Sequence, residues 1–193
     1  MKLPILAYGN SILRKPCKDI DSRFSGLEDL INNMWDTMRN AEGCGLAAPQ
    51  IGHDVRLFIV DSKSTYDNLE EADRKDYFDK NDTGILETFI NAKIIQRSED
   101  FWEDEEGCLS IPGLSQKVKR SWSITIEFLD KDFEKQVRTY SGITARMIQH
   151  EYDHIEGILF LDYLKPLTRK LLEAKLKRIS KGQVRVKYPM RFI

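Results

Sequence analysis

His150-Glu151-Tyr152-Asp153-His154 sets two imidazoles four positions apart, with a carboxylate beside the first. Side chains at i and i+4 of a helix lie one above the other, so both rings can reach one ion, and the glutamate between them is placed to accept a proton. Two of the chain's three histidines fall in this pentapeptide. An ion bound for catalysis has three protein ligands and keeps one position for water, so a third ligand of the Cys, His, Asp or Glu type is needed. Cys108, in Glu106-Gly107-Cys108-Leu109-Ser110, is the choice, because a thiolate is a strong ligand and Gly107 lets the backbone approach the ion closely. Cys17 follows Pro16 in a polar stretch with no other ligand type close by, and reads as a partly buried, inert thiol.

The motif needs a helix, and its flanks supply one. Ser141 is the expected N-cap, Ile143, Met147, Ile148, Tyr152 and Ile155 follow helical spacing, and Gly157 ends the run. An earlier helix is expected from Leu27, Leu30, Ile31, Met34 and Met38, opened by a capping box at Ser25-Gly26-Leu27-Glu28. β-rich runs cover Val55 to Val60, Thr88 to Ile95, Gln116 to Val118, Ser123 to Leu129 and Lys135 to Tyr140. The expected class is α+β: short strands in mainly antiparallel sheets around a central metal-binding helix, with a C-terminal amphipathic helix. The metal would sit where the central helix meets a strand bearing Cys108. Gly43 and Gly45, two glycines in three residues, permit tight backbone, including positive φ, beside a substrate.

Three separated motifs, Gly43-Cys44-Gly45-Leu46-Ala47-Ala48-Pro49-Gln50, Glu106-Gly107-Cys108-Leu109-Ser110 and Gln149-His150-Glu151-Tyr152-Asp153-His154, give the chain its resemblance to the peptide deformylases. The likeness also takes in Pro4-Ile5-Leu6 to Leu13-Arg14 and Gly157 to Leu164, and leaves out residues 62 to 86 and the extreme C-terminus. It implies removal of the formyl group from the N-terminal methionine of nascent polypeptides. It implies that Cys108, His150 and His154 hold one divalent ion per chain, Fe2+ in the cell and Zn2+ or Ni2+ in purified samples. Glu151 would then act as general base and acid. The Gln50 side-chain amide and the Leu109 backbone N–H would stabilise the oxyanion. Glu106 and Arg120 match an ion pair that braces the loop carrying Cys108. Ile143 and Met147, plain core by spacing alone, become one wall of a methionine pocket. Cys44 stands where the family more often has a branched aliphatic residue and reads as packing.

Length and composition fit one domain over 1–193, with 41% hydrophobic and 32% charged residues. Lys2 is followed by only a short apolar run broken at Pro4, and no stretch approaches a membrane span. Three cysteines, an odd number, argue against a disulfide framework. A cytoplasmic protein without membrane contact is expected. Residues 62 to 86, rich in acids, read as a solvated insertion loop in which a short helix around Leu69 to Phe78 can form.

The net charge of -1 conceals a strong asymmetry. Residues 165 to 193 hold ten Lys or Arg against Glu173 alone, so they carry +9 and the remainder -10. Leu167, Leu171, Leu172, Leu176 and Ile179 give an expected helix there its apolar face, with Lys170, Lys175, Lys177, Arg178 and Lys181 around the rest. In the deformylase subclass with a helical C-terminus, the resemblance implies docking of this element on ribosomal RNA and protein. Val184, Val186 and Tyr188 alternate, so the last segment could add a strand or simply fray. Two rival readings use the same motif helix. A metallopeptidase usually takes its third ligand from downstream, and no histidine follows His154. A metal-stabilised RNA-binding module would close its site with a fourth protein ligand, and none is evident.

Overall fold

A computed structural model describes residues 1–193. The chain runs through β1 (Ile5–Leu6), α1 (Leu27–Asn40), β2 (Gly45–Ala47), β3 (Leu57–Asp61), α2 (Lys63–Asn68) and α3 (Glu71–Tyr77). It continues through β4 (Leu86–Arg97), β5 (Phe101–Cys108), β6 (Ile111–Ser121), β7 (Ser123–Leu129), β8 (Lys135–Ser141), α4 (Gly142–Ile155), α5 (Pro166–Ser180) and β9 (Met190–Arg191). An antiparallel sheet of order β2-β3-β4-β7-β8 faces α4, the β5-β6 hairpin lies beside it, and β1 and β9 pair in parallel.

β3 is the middle of the sandwich because its run of apolar residues does not alternate with polar ones. Leu57 and Ile59 pack with Met34 and Met38 of α1, while Phe58 and Val60 pack with Ala145 and Ile148 of α4. Phe89 stacks on Phe58 with ring centroids 4.7 Å apart and meets Phe128 at 4.4 Å. In β7, by contrast, Ile124, Ile126 and Phe128 are buried and the residues between them are partly exposed, the period-two pattern of a strand with one covered face. The α+β architecture is as expected, and α4 lies at its centre with eleven of its fourteen residues buried. A helix so enclosed must find partners for every polar side chain it carries, because a buried polar group without one is costly.

The structure departs from expectation in four places. Gly26, at φ 75°, is the N-cap of α1 and no side chain caps the helix, so the capping box does not form. In residues 62 to 86 the short helix allowed around Leu69 to Phe78 forms as α3, but a second helix, α2, precedes it and the segment is tied to the core rather than loose. Ser62, fully buried, accepts hydrogen bonds from Ile85 N–H and the Thr144 hydroxyl, and buried Phe78 packs edge-on against Tyr66. β5 was not expected, since four successive acids, Glu103 to Glu106, are poor strand formers. Its partner explains it: Glu103 stands opposite Lys119 and Glu105 opposite Lys117. Finally, only the second half of the α5 apolar face is covered: Leu176 and Ile179 are buried against Ile111, Leu114 and Val118, while Leu167 and Leu171 are exposed. No helix is long and apolar enough to cross a membrane.

Candidate metal centre

α4 forms where expected, with Ser141 at its N-cap position and Gly157 at φ 74° just beyond its end. It sets the His150 and His154 rings edge to face, with centroids 5.1 Å apart. Cys108 reaches them from the tip of the β5-β6 hairpin. There the register slips after Gly107, so that Cys108 faces Ile111 across the two-residue turn Leu109-Ser110, and the slip turns the thiol toward α4. The ligating atoms of Cys108, His150 and His154 lie within 4.8 Å of one another, with Cys108 Sγ 3.3 Å from His154 Nε2. Those three residues could hold a metal ion. Cys17 takes no part: it is buried in the apolar core, where burial pushes its thiol up to about 11.

Gln50 sits in the single helical turn Ala48–Ile51 that follows β2. Ala47 N–H donates to its Oε1 at 2.8 Å, which leaves Nε2 to approach Cys108 Sγ at 3.5 Å and Ser110 Oγ at 3.2 Å. Glu106, two residues before Cys108, is buried behind the site. Arg120 Nε and Nη2 each donate to it at 2.9 Å, Arg146 Nη1 donates at 2.7 Å, and His150 Nδ1 lies 3.0 Å from its Oε2. Burial alone would raise the Glu106 carboxyl, but the hydrogen bonds with Arg120 and His150 outweigh it and hold the group well below the usual carboxylate range. Arg120 also donates to Asp153 at 2.6 Å, and Tyr163 donates to the other oxygen of Asp153 at 3.1 Å. Both oxygens of Asp153 are thus occupied away from the histidine pair, which gives it a structural role.

Arg146 is the member of this network that sequence reasoning missed. On an isolated helix it reads as a surface cation, and only its neighbours reveal otherwise: it also donates to the Val118 and Trp102 carbonyls and lies over the Trp102 ring. Its position four residues before His150, within an otherwise apolar stretch of the helix, was the available signal.

Glu151 has one carboxylate oxygen that is buried and has no partner, and the same is true of His154 Nδ1. Burial lifts the Glu151 carboxyl to about 7, so it is poised to exchange a proton near neutral pH. Burial, and then the charge on His150, hold His154 well below its usual value, which keeps the imidazole neutral. Gly43 and Gly45 were expected to permit tight backbone, positive φ included, and neither adopts positive φ. What they provide is close approach: a Cβ on Gly45 would stand 2.4 Å from Glu151 Oε1, and one on Gly43 2.7 Å from Leu109 Cδ1. At Gly107 a Cβ would meet nothing nearer than the Leu114 carbonyl at 3.9 Å, so that glycine relieves no contact.

A cavity of about 710 Å³ opens onto this constellation. Gly43, Gly45, Gln50, Glu106, Gly107, Cys108, Leu109, Ile143, Met147, His150 and Glu151 all line it, whereas Arg120 stands behind it. Cys44 was expected to be packed, yet it is exposed and lines the cavity mouth. Four residues from near the C-terminus, Arg185, Val186, Lys187 and Tyr188, form part of the wall and were not anticipated.

Comparison with known proteins agrees with this geometry. The polypeptide deformylase family model matches residues 2–170. The peptide deformylase of Christiangramia forsetii is 52% identical, with 100% of this chain and 96% of that protein covered. That of Flavobacterium psychrophilum is 44% identical over 100% of this chain and 98% of its own length. Among solved structures, the peptide deformylase of Legionella pneumophila superposes with a TM-score of 0.76 at 34% identity, covering 96% of this chain and 99% of that one. The one from Ehrlichia chaffeensis gives 0.80 at 27% identity, covering 95% and 99%. A family match across most of the chain, relatives aligned end to end and a shared fold together establish that this chain belongs to the peptide deformylase family.

Proposed function

We propose that this deformylase removes the N-formyl group of nascent polypeptides with a divalent ion held by Cys108, His150 and His154, and with Glu151 moving the proton. The observation that carries this reading is the convergence of one thiol and two imidazoles within 4.8 Å beside the buried, unpartnered Glu151 oxygen. The donor set fits an ion. Glu106 occupies His150 Nδ1, which fixes the ring and leaves Nε2 as its ligating atom. Burial would lower the His150 pKa, but hydrogen bonds with Cys108 and Glu106 raise it well above the usual value, as expected of a ring set between a thiol and a carboxylate. When bound, a divalent ion supplies a Lewis acid that polarises the formyl carbonyl and acidifies water. Ferrous iron in the cell, and zinc or nickel in purified protein, are all compatible with these ligands.

Glu151 accepts the proton of the attacking water and delivers it to the amine nitrogen as the C–N bond breaks, releasing formate and a free N-terminus. Gln50 Nε2, fixed through Ala47, and Leu109 N–H donate to the oxyanion that forms on the former carbonyl oxygen. Ile143 and Met147 give an apolar wall for the methionine side chain, and Gly43, Gly45 and Gly107 leave the cleft open for extended peptide. Glu106, with Arg120 and Arg146, holds His150 and the hairpin in place. The +9 charge of residues 165 to 193 supports docking on ribosomal RNA and protein in the cytoplasm.

The experiment is formate release from a formyl-methionyl peptide by anaerobically prepared Glu151→Ala protein. We expect wild-type metal content with turnover reduced by about 100-fold or more. Substantial turnover in the metal-loaded variant would remove Glu151 from the acid/base role.

A further inference from the structure

We infer that Tyr188, in the segment that follows α5, is a positioning residue that fixes the Cys108-Leu109-Ser110 turn from across the cleft. The segment is tied at both ends. Gly182, at φ 70°, turns the chain back after α5, and a Cβ there would stand 3.0 Å from the Phe192 ring. Beyond the cleft, Pro189 and Arg191 carbonyls accept from Ile5 and Ala7 N–H at 2.9 Å each, and Ile193 N–H donates to Ser180 O at 3.1 Å. Residues 185 to 188 therefore cross the cavity wall as a strap held by the core rather than as a loose end.

The Tyr188 ring packs against the core cluster that contains Met34, Met38 and Leu46, and its hydroxyl donates to the Leu109 carbonyl at 2.8 Å. Leu109 lies in the hairpin turn, outside the strand ladder, so this hydrogen bond does for it what a sheet partner does elsewhere. The next residue is clamped as well: Tyr8 N–H donates to Ser110 O at 2.8 Å, and Gln50 Nε2 donates to Ser110 Oγ. With both consecutive carbonyls held, the two peptide planes that follow Leu109 are fixed, and through the Leu109 Cα they restrain the plane before it, which carries the Leu109 N–H and joins it to Cys108. Small misplacements of catalytic groups are expensive in rate, so a bond that does not touch substrate can still set turnover. The inference rests on the proposed donation by Leu109 N–H to the oxyanion.

The test is Tyr188→Phe, which keeps the ring packing and removes only the donor, assayed for formate release alone and combined with Gln50→Leu. We expect kcat to fall about 3- to 10-fold, the size expected for one lost neutral hydrogen bond, with KM and metal content unchanged. In the Gln50→Leu background the same substitution should cost measurably less, because both act on one oxyanion site. An unchanged kcat, a change in KM alone, or a loss fully restored by reloading metal would overturn the inference. If Gln50→Leu alone leaves kcat intact, the oxyanion assignment has failed. If Gln50→Leu lowers kcat and Tyr188→Phe does not, only the role of Tyr188 has failed.

Discussion

Gln50 can point its amide nitrogen at the Cys108 sulfur only because its oxygen is tied to Ala47 N–H. In the proposed role of oxyanion donor Gln50 would act mainly in the transition state, so Gln50→Leu should lower kcat by roughly 100- to 1000-fold while KM changes little. Steady-state formate-release kinetics check this, and an effect confined to KM would contradict it. The convergence of Cys108, His150 and His154 beside Glu151 was legible in the sequence because the residue types are rare and their spacing is specific: two imidazoles one helical turn apart, a glutamate between them and a thiol after a glycine. Arg146 was not legible, because burial depends on what packs over a helix. The role of Gly45 was also hidden, since its reason is the Glu151 carboxylate, over a hundred residues away in the chain.

At the scale of elements, α4 and the β5-β6 hairpin are joined by a buried charge cluster in which Glu106 and Asp153 balance Arg120 and Arg146. Glu106→Gln would leave one cation without compensation in the interior, and we expect it to cost about 3–5 kcal/mol of stability. Denaturant unfolding of the metal-loaded protein measures this. The same substitution loosens His150 and should weaken metal affinity by about 10- to 100-fold. A variant as stable as wild type would show that the cluster does not brace the site. Helices with clear apolar periodicity, α1 and α4, were readable from the sequence. β5 was not, because its stability comes from cross-strand pairing of acids with lysines rather than from its own propensity, and such pairing is a long-range property. The α1 cap failed for a local reason: Gly26 adopts the left-handed conformation, which leaves Ser25 outside the capping geometry.

Across the whole molecule, the cleft is assembled from residues 40 to 50, the β5-β6 hairpin, α4 and the C-terminal segment, while β9 near the end of the chain pairs with β1 near its start. The sequence located the basic charge of the C-terminal part but not its path, because a short strand carries little periodic signal and the parallel partner lies near the N-terminus. Exposed Leu167 and Leu171 lie on the same helix as its free cations. Replacing Lys170, Lys177, Arg178 and Lys181 with Gln should weaken ribosome binding and reduce the slope of affinity against salt concentration, since fewer counterions are then released. Titration at several salt concentrations reads that slope, and identical slopes would refute docking through this helix. The central claim is that one sulfur and two imidazoles, brought together from the hairpin tip and α4, hold a single ion. X-ray absorption at the zinc edge of zinc-loaded protein tests it most directly. We expect one sulfur at about 2.3 Å and two nitrogens at about 2.0–2.1 Å in the coordination shell. A shell without sulfur would contradict it.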